Sequence, residues 1–148
     1  YKLVAVHKDK AIIPKIKISE TFEKITNPGR KRAWRVYDKT GHAIADLLTL
    51  LDEDPREVKE FPFVDTQRPW KKMTFRDCTF RELQELVLEK GKRTHPSPSL
   101  EEIRHYVRQQ LDHEIWPEEQ RFSNPHTHLS PKYYAMKMRL LEDAKKGK

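Results

Sequence analysis

Residues 33–51, with the sequence AWRVYDKTGHAIADLLTLL, decide the fold class of this chain. Apolar and polar side chains alternate over residues 33–37, as they do in a strand with one buried face. Residues 38–41 have the composition of a tight turn, and an apolar run over residues 43–51 follows them. Periodicity alone allows that run to be a helix or a strand, but its shortness and the strong turn before it favour a strand. The stretch therefore predicts a β-hairpin.

Short β-like runs continue on both sides of this hairpin. On the N-terminal side, residues 1–6 form one run and residues 12–18 form another, in which lysines alternate with isoleucines. Pro14 has no backbone N–H to donate, so it favours an edge position or a bulge for the second run. On the C-terminal side, residues 61–64 and 71–75 are two more short runs. The first half of the chain thus predicts short antiparallel strands.

The apolar spacing becomes helical beyond Cys78. Thr79 and Glu82 have the spacing of a capping box, in which each side chain bonds the other residue's backbone N–H at a helix start. Apolar residues recur at helical spacing over residues 80–87, and Gly91 is a suitable C-terminal cap. These features predict a first helix.

Two further helices are indicated downstream. Ser99 and Glu102 repeat the capping pattern ahead of an apolar stripe over residues 100–115. Ser130 followed by Pro131 is typical of a third helix start, because proline at the first helical position loses no helical hydrogen bond. The chain therefore predicts an α+β fold, with a β-rich first half of short antiparallel strands followed by about three helices.

The chain is short, highly charged and basic. Its 148 residues suffice for one ordinary domain, but only 36% are hydrophobic and the mean hydropathy is −0.92, so the core is expected to be lean. The 30 lysines and arginines exceed the 23 aspartates and glutamates, which gives a net charge of +7. An anionic partner is therefore plausible, and nucleic acid, a phosphorylated metabolite or an anionic membrane surface would each match that charge.

Cysteine usage and hydropathy limit the class of protein. Cys78 is the only cysteine, which excludes an internal disulfide and a zinc site built from several thiolates, and favours a reducing compartment. No apolar run reaches the roughly 18 residues that a membrane-spanning helix needs. A cytoplasmic location is therefore expected. The chain also opens on a strand-like run without an initiating methionine, which predicts a segment of a longer protein.

Basic residues crowd the first quarter of the chain. Ammonium groups on short strands can bind phosphate oxygens, but a charged strand face is more often simply solvated. Composition alone favours the solvated face, and both interpretations stay open at this point. The residues concerned are Lys2, Lys15, Lys17, Lys24, Arg30, Lys31 and Arg32.

Other candidate sites have weaker support. The histidine pairs His126 with His128 and His105 with His113 lack a converging set of further ligands, so surface histidines are favoured over a metal site. Cys78 is expected to be a small buried thiol rather than a nucleophile. The sequence has no glycine-rich phosphate loop and no standard catalytic motif, so no catalytic residue and no metal ligand are assigned.

A basic nucleic-acid-binding module is the alternative function. Trp34, Arg35 and Tyr37 lie on one basic strand, and aromatic rings beside cations can stack on bases and attract the phosphate backbone. Trp34 and Tyr37 point to opposite faces of a regular strand, however, so they cannot form one platform. Nucleic-acid binding is therefore the less favoured hypothesis.

Several tracts of the chain resemble those that follow the catalytic barrel in nicotinate phosphoribosyltransferases. Their order and spacing are specific, and together they span nearly the whole chain. The tracts are YKLVAV at residues 1–6, PKIKISE at residues 14–20, EKITNPGRK at residues 23–31, VYD at residues 36–38, GHAIADL at residues 41–47, PSLEEIR at residues 98–104 and RFSNPH at residues 121–126.

This resemblance implies a segment of a larger α/β-barrel enzyme that joins nicotinate to phosphoribosyl pyrophosphate, with ATP hydrolysis coupled through a phosphohistidine. It also implies a homodimer, with ATP and Mg²⁺ used by the complete enzyme and no cofactor bound by this segment. The phosphohistidine would lie on the barrel, so none of the seven histidines here is assigned a catalytic role. Residues 1–52 are expected to return as strands to an N-terminal sheet, and residues 53–148 to form a C-terminal α+β cap.

By the same resemblance, Lys2, Lys17 and Lys24 match basic positions that lie near bound phosphate groups in the related nicotinamide-using branch. Lys15 competes with Lys17 for one of these positions. The resemblance makes phosphate contact as good an interpretation as a solvated face. The segment is thus expected to be mainly structural and dimer-forming, with a few lysines that contact phosphate, and neither a membrane nor nucleic acid is expected as its partner.

Overall fold

The fold consists of short strands joined by turns, with helices in the second half. A computed structural model of the chain describes residues 2–21, 24–114 and 127–147. The strands within these ranges are β1 (Ala5–Lys8), β2 (Ala11–Pro14), β3 (Arg32–Tyr37), β4 (Ala43–Thr49), β5 (Glu60–Phe63), β6 (Met73–Arg76), β7 (Thr79–Glu82), β8 (Leu88–Glu89), β9 (Lys92–Arg93) and β10 (Thr127–Leu129). The helices are α1 (Leu100–Gln109), which continues into a π-helical turn at Gln110–Glu114, and α2 (Pro131–Lys145), while Pro55–Glu57 form a 3-10 helix.

A four-stranded sheet forms the centre of the fold. Its strand order is β10-β4-β3-β7, with β10 parallel to β4 and the other pairs antiparallel. Trp34 in β3 lies opposite Leu47 in β4, and the backbone N–H of Asp38 donates to the carbonyl of His42 at 3.0 Å to close the turn. Gly41 in that turn has a φ of 83°, which residues with a Cβ rarely adopt. The predicted hairpin, with a strand rather than a helix after the turn, is therefore confirmed.

Alternate residues of the sheet form an aromatic-rich core on one of its faces. Trp34 and Val36 of β3 lie beside Leu47 and Ala45 of β4, and all four are buried because a strand sends every second side chain to the same face. The β5–β6 hairpin contributes three phenylalanines to this core. Among the described residues, the buried members of this cluster are Trp34, Val36, Ala45, Leu47, Phe61, Phe63 and Phe75.

Residues on both sides of position 52 belong to this core. The rings of Phe63 and Phe75 stack with their centroids 4.0 Å apart, and Phe80 of β7 meets Phe75 edge-on at 5.9 Å. The ring of His128 in β10 lies 4.5 Å from that of Phe63. One hydrophobic cluster thus joins early and late parts of the chain, and the division after position 52 stays a prediction about the longer protein.

The predicted first helix is wrong, because residues 79–82 form strand β7. β7 pairs antiparallel with β3 and places Phe80 opposite Val36 at the edge of the core. Glu82 does not cap a helix but accepts hydrogen bonds at 3.0 and 2.7 Å from the Arg32 guanidinium. The local sequence suits a helix or a strand, and pairing with β3 decides in favour of the strand.

The other two predicted helices are confirmed. Ser99 and Glu102 form the capping box of α1: the Glu102 N–H donates to the Ser99 hydroxyl, and the Ser99 N–H donates to the Glu102 carboxylate. Ser130 caps α2 by accepting from the backbone N–H of Tyr133 at 3.1 Å, with Pro131 at the first helical position. The described ranges thus hold two α-helices rather than about three. Neither has the length and apolar character that crossing a bilayer requires.

The strand predicted over residues 12–18 is shorter than expected. β2 ends at Pro14, and β1 and β2 form a separate two-stranded hairpin. The backbone N–H of Lys15 still donates to the carbonyl of Val4 at 2.8 Å, but the strand does not continue beyond it. Proline has no N–H with which to extend a ladder. The alternation of Lys15 and Lys17 therefore does not place both lysines on one strand face.

Candidate functional site

Of the three lysines predicted to contact phosphate, Lys24 lies in the loop of residues 24–31, and Lys2 and Lys17 contact that loop. The Lys2 ammonium donates a hydrogen bond to the carbonyl oxygen of Lys24 at 2.8 Å. Lys17 is joined to the same loop through Thr26, because its N–H donates to the Thr26 hydroxyl and its carbonyl accepts from the Thr26 N–H, both at 3.2 Å. All three lysine side chains are exposed. The fold therefore brings together Lys2, Lys17 and Lys24, hereafter the lysine cluster.

The lysine cluster has the chemistry of an anion-binding surface. Positive charges in one neighbourhood repel each other, and a bound phosphate offsets that repulsion. The Lys2 ammonium uses one of its three N–H groups on the Lys24 carbonyl, which leaves two for another acceptor. Exposed ammonium groups are also accessible to a ligand without any change of fold. Each of these ammonium groups can donate charge-assisted hydrogen bonds to phosphate oxygens.

Lys15, the competing candidate, lines a different surface. It borders a groove of about 430 Å³ together with Leu140, Asp143 and Ala144 of α2. The Asp143 carboxylate in this groove repels an anion. The geometry thus groups Lys15 with α2 and Lys17 with Lys24, so Lys17 is the better candidate for phosphate contact.

Helix α2 holds the loop that carries Lys24. The Tyr133 hydroxyl donates a buried hydrogen bond to the carbonyl oxygen of Pro28 at 2.7 Å. One turn later, the Lys137 ammonium donates to the side-chain oxygen of Asn27 at 2.7 Å, and burial lowers the pKa of Lys137. These partners are 105 and 110 residues apart in the sequence, so no local pattern identifies them. The position of the lysine cluster therefore depends on α2.

Gly29 allows α2 to approach this loop closely. It has a φ of 79°, and a Cβ at this position would lie only 3.3 Å from Cε of Met136. The Lys31 ammonium donates to the Gly29 carbonyl at 3.0 Å, and burial lowers the pKa of Lys31. Lys31 is thus half-buried, whereas the three members of the lysine cluster are exposed.

A second group of charged side chains lies on the face of the sheet opposite to the core. Arg35 of β3 pairs with Asp46 of β4 at 3.0 Å and with Glu114 at 3.2 Å, and Arg81 of β7 also contacts Glu114. Glu114 ends the π-helical turn after α1, so these pairs fasten the end of that helix to the sheet. Sequence reasoning missed this group because its members come from four separate elements. Two guanidinium groups balance two carboxylates, which indicates a structural role.

Trp34 does not provide a stacking platform for nucleic acid. Its side chain is 0% exposed, and the indole N–H donates to the hydroxyl of Thr49 at 3.0 Å. The guanidinium groups of Arg32 and Arg56 lie 4.3 and 4.9 Å from the centre of its ring. A base therefore cannot reach the ring, and the aromatic part of the nucleic-acid hypothesis has no counterpart in this fold.

The histidines do not converge on a metal centre in the described part of the chain. His105 and His113 are exposed on α1 and its π-helical continuation, whereas His128 packs against Phe63 in the core. His126 lies outside the described residues. No group of three or more histidine, cysteine, aspartate or glutamate side chains within the described ranges is arranged to hold a metal ion.

Cys78 is a half-buried thiol next to the core. Its Sγ–H donates to the carbonyl oxygen of Arg76 at 3.2 Å, and burial raises the pKa of the thiol. A raised pKa disfavours the thiolate, which is the nucleophilic form. The environment therefore fits the predicted structural thiol.

Known proteins resemble this chain over most of its length. A sequence model of the family described as "Nicotinate phosphoribosyltransferase C-terminal domain" matches residues 30–137. The nicotinate phosphoribosyltransferase of Bacillus subtilis (strain 168) is 30% identical over 149 residues, which cover 98% of this chain and 30% of that protein. The nicotinate phosphoribosyltransferase of Homo sapiens is 34% identical over 131 residues, which cover 84% of this chain and 22% of that protein.

A solved structure shares the fold. The crystal structure of human nicotinic acid phosphoribosyltransferase aligns with a TM-score of 0.65 and 28% sequence identity, over 77% of this chain and 23% of that one. The chain thus spans less than a third of the length of the relatives it matches. The lysine cluster precedes residue 30 and so lies outside the family-model match, whereas the Bacillus subtilis alignment covers nearly the whole chain.

Proposed function

The chain belongs to the nicotinate phosphoribosyltransferase family, and we propose that it is the C-terminal part of a complete enzyme of that kind. The enzyme would join nicotinate to phosphoribosyl pyrophosphate, with ATP hydrolysis, to give nicotinate mononucleotide and pyrophosphate for NAD biosynthesis in the cytoplasm. The observation that carries this proposal is the family match over residues 30–137. Because the chain covers only 30% of the Bacillus subtilis relative, we assign the activity to the longer protein.

Within that enzyme, we assign this segment a mainly structural and dimer-forming role, with phosphate contact by the lysine cluster. Three exposed lysines linked to one loop support the phosphate contact, and the hydrogen bonds from α2 support a fixed position for that loop. The ligand would be a phosphate group of phosphoribosyl pyrophosphate or ATP. The segment itself binds no cofactor in this proposal, and Mg²⁺ and ATP are used by the complete enzyme.

Replacing Lys24 with alanine in the complete enzyme tests the phosphate contact. Loss of a hydrogen bond to a charged group costs about 1.5–3 kcal/mol, which corresponds to roughly a tenfold or larger rise in KM for the phosphate-bearing substrate. The rate of pyrophosphate release is measured over a range of phosphoribosyl pyrophosphate concentrations and, separately, over a range of ATP concentrations. The two series give the KM for each substrate. Lys59→Ala is the matched control, because Lys59 is also exposed and lies outside the cluster.

The two roles of the segment give different results in this experiment. A phosphate role predicts raised KM for Lys24→Ala with an unchanged oligomeric state. Unchanged KM together with altered dimerisation would assign Lys24 to a subunit contact instead. If the complete enzyme released no pyrophosphate from phosphoribosyl pyrophosphate with nicotinate, the proposed activity itself would be lost.

A further inference from the structure

Residues 83–109 form an arm that contributes nothing to the core of this domain. Every residue in this range is exposed, although it includes the β8–β9 hairpin and the whole of α1. The arm begins directly after β7 and ends at the π-helical turn, where Glu114 contacts Arg35 and Arg81. In the part of the chain that the structure describes, the arm is therefore joined to the four-stranded sheet only where it begins, at β7, and where it ends, at the turn that carries Glu114.

The exposed side chains of the arm are strongly apolar. On α1, Leu100, Ile103 and Val107 follow each other at three- and four-residue spacing, so they form one stripe along the helix. Their exposed fractions are 61%, 45% and 47%. The large apolar residues exposed over the arm and the adjoining turn are Leu83, Leu86, Val87, Leu88, Leu100, Ile103, Tyr106, Val107 and Leu111.

Neither element of the arm is expected to be stable without further contacts. An isolated helix shorter than about 12–15 residues is marginal in water, and α1 has 10 residues. A lone two-stranded hairpin is also marginal at best, and β8 and β9 have 2 residues each. Soluble proteins rarely leave apolar patches of more than a few hundred Å² uncovered. The stripe of α1 therefore needs a partner surface.

We propose that the apolar stripe of α1 packs, in the complete protein, against the part of the same polypeptide that precedes this domain. Family relatives are more than three times as long as this chain, which covers 30% and 22% of the Bacillus subtilis and human proteins. The matched family model describes a C-terminal domain, so we infer that most of the remaining length of those relatives precedes it. A covalently joined surface also meets the arm at an effective concentration of roughly millimolar, at any protein concentration.

Photo-crosslinking of the complete protein tests this contact. The photoreactive residue benzoylphenylalanine is introduced at Val107, and at Gln109 as the matched control on the opposite side of the same helix. After irradiation, a denaturing gel separates products of monomer mass from those of dimer mass, and mass spectrometry identifies the joined peptides. Leu100 provides a second position on the stripe, in case the Val107 variant does not fold.

We expect several-fold more crosslinking from Val107 than from Gln109, at monomer mass, to a peptide that precedes this domain. A product of dimer mass would overturn the proposal in favour of a second copy of the chain. Crosslinks to this domain's own residues, or equal yields at the two positions, would overturn it as well. As an independent readout, Val107→Asp should lower the Tm of the complete protein by several degrees more than Gln109→Asp, and equal shifts would contradict the proposal.

The contact on α1 rests on the proposed function only in that this chain is part of a longer polypeptide; it involves neither the lysine cluster nor the proposed reaction. The photo-crosslinking experiment needs only the folded complete protein and no substrate. Its outcome therefore does not depend on whether Lys24 contacts phosphate.

Discussion

The indole N–H of Trp34 donates a 3.0 Å hydrogen bond to the hydroxyl of Thr49, and both side chains are fully buried. The Thr49 hydroxyl in turn donates to the carbonyl oxygen of Glu53 at 3.3 Å. The indole nitrogen, which is the polar atom of the Trp34 side chain, is thus paired. Through Thr49, these two hydrogen bonds connect β3 to Glu53 in the loop after β4. Buried N–H groups need such a partner because water cannot replace it.

Thr49→Val is expected to destabilise the protein by about 1–3 kcal/mol, because it removes the acceptor of the Trp34 N–H while nearly preserving the side-chain shape. Thermal or urea unfolding measures the loss. Thr49→Ser is the matched variant, since it keeps the hydroxyl and removes a methyl group. If Thr49→Val lowered the free energy of unfolding by no more than Thr49→Ser does, the hydrogen bond would not contribute to stability.

Stability in acid should depend on Asp54. Hydrogen bonding from the Arg56 side chain lowers the pKa of Asp54 from 3.8 to about 2. The folded state therefore favours the carboxylate, so this contribution is present above about pH 4 and is lost as the pH falls towards about 2. Asp54→Asn should flatten the decline of Tm within that window. Arg56→Gln should also flatten the decline of Tm. If Tm fell as steeply with pH in both variants as in the unchanged protein, the pair of Asp54 and Arg56 would be excluded as the cause of that decline.

The cap of α2 should matter more than the cap of α1. Ser130→Ala removes the acceptor of the Tyr133 N–H and the donor of a 2.6 Å hydrogen bond to the Glu53 carboxylate, so we expect a loss of about 1–2 kcal/mol. Ser99→Ala removes the same kind of cap from α1, which buries no residue within this domain. Urea unfolding that showed equal losses would indicate that the Glu53 contact contributes little.

Lys137 should influence substrate binding by positioning the loop that carries Lys24. In the complete enzyme, Lys137→Met removes the donor to Asn27, and we expect KM for phosphoribosyl pyrophosphate to rise by less than it does in Lys24→Ala. Lys137→Arg keeps a donor and should restore part of the affinity. Initial rates measured over a range of substrate concentrations separate KM from kcat. A lower Tm with unchanged KM would mean that Lys137 is structural only.

Local sequence patterns predicted the secondary structure correctly where no long-range contact favoured a different structure. The Ser99 and Glu102 capping box correctly marks α1, which no adjacent strand draws into a sheet. The same signal at Thr79 and Glu82 fails, because β3 offers pairing and Arg32 offers a charge partner 50 residues away. Similar local patterns thus led to different structures, and the difference lies in long-range contacts.

The candidate site could be predicted only in part, for a related reason. A resemblance to other proteins singled out Lys17 and Lys24, and the fold places both beside one loop through the Thr26 contacts. Their role toward phosphate stays a prediction. The supporting residues Tyr133 and Asn27 could not be predicted, since a tyrosine on an amphipathic helix gives no indication of which distant carbonyl it will bind.

The hydrogen bond from Tyr133 to Pro28 has a consequence for how the protein is made. The two residues are 105 positions apart, and a ribosome adding about 5–20 residues per second needs on the order of 10 s to join them. During that interval β4 lacks its parallel neighbour β10, which pairs Leu129 with Leu48, so one edge of the sheet is open. We therefore expect the nascent chain to be most prone to aggregation shortly before β10 and α2 emerge, and to close this domain only after both have been synthesised.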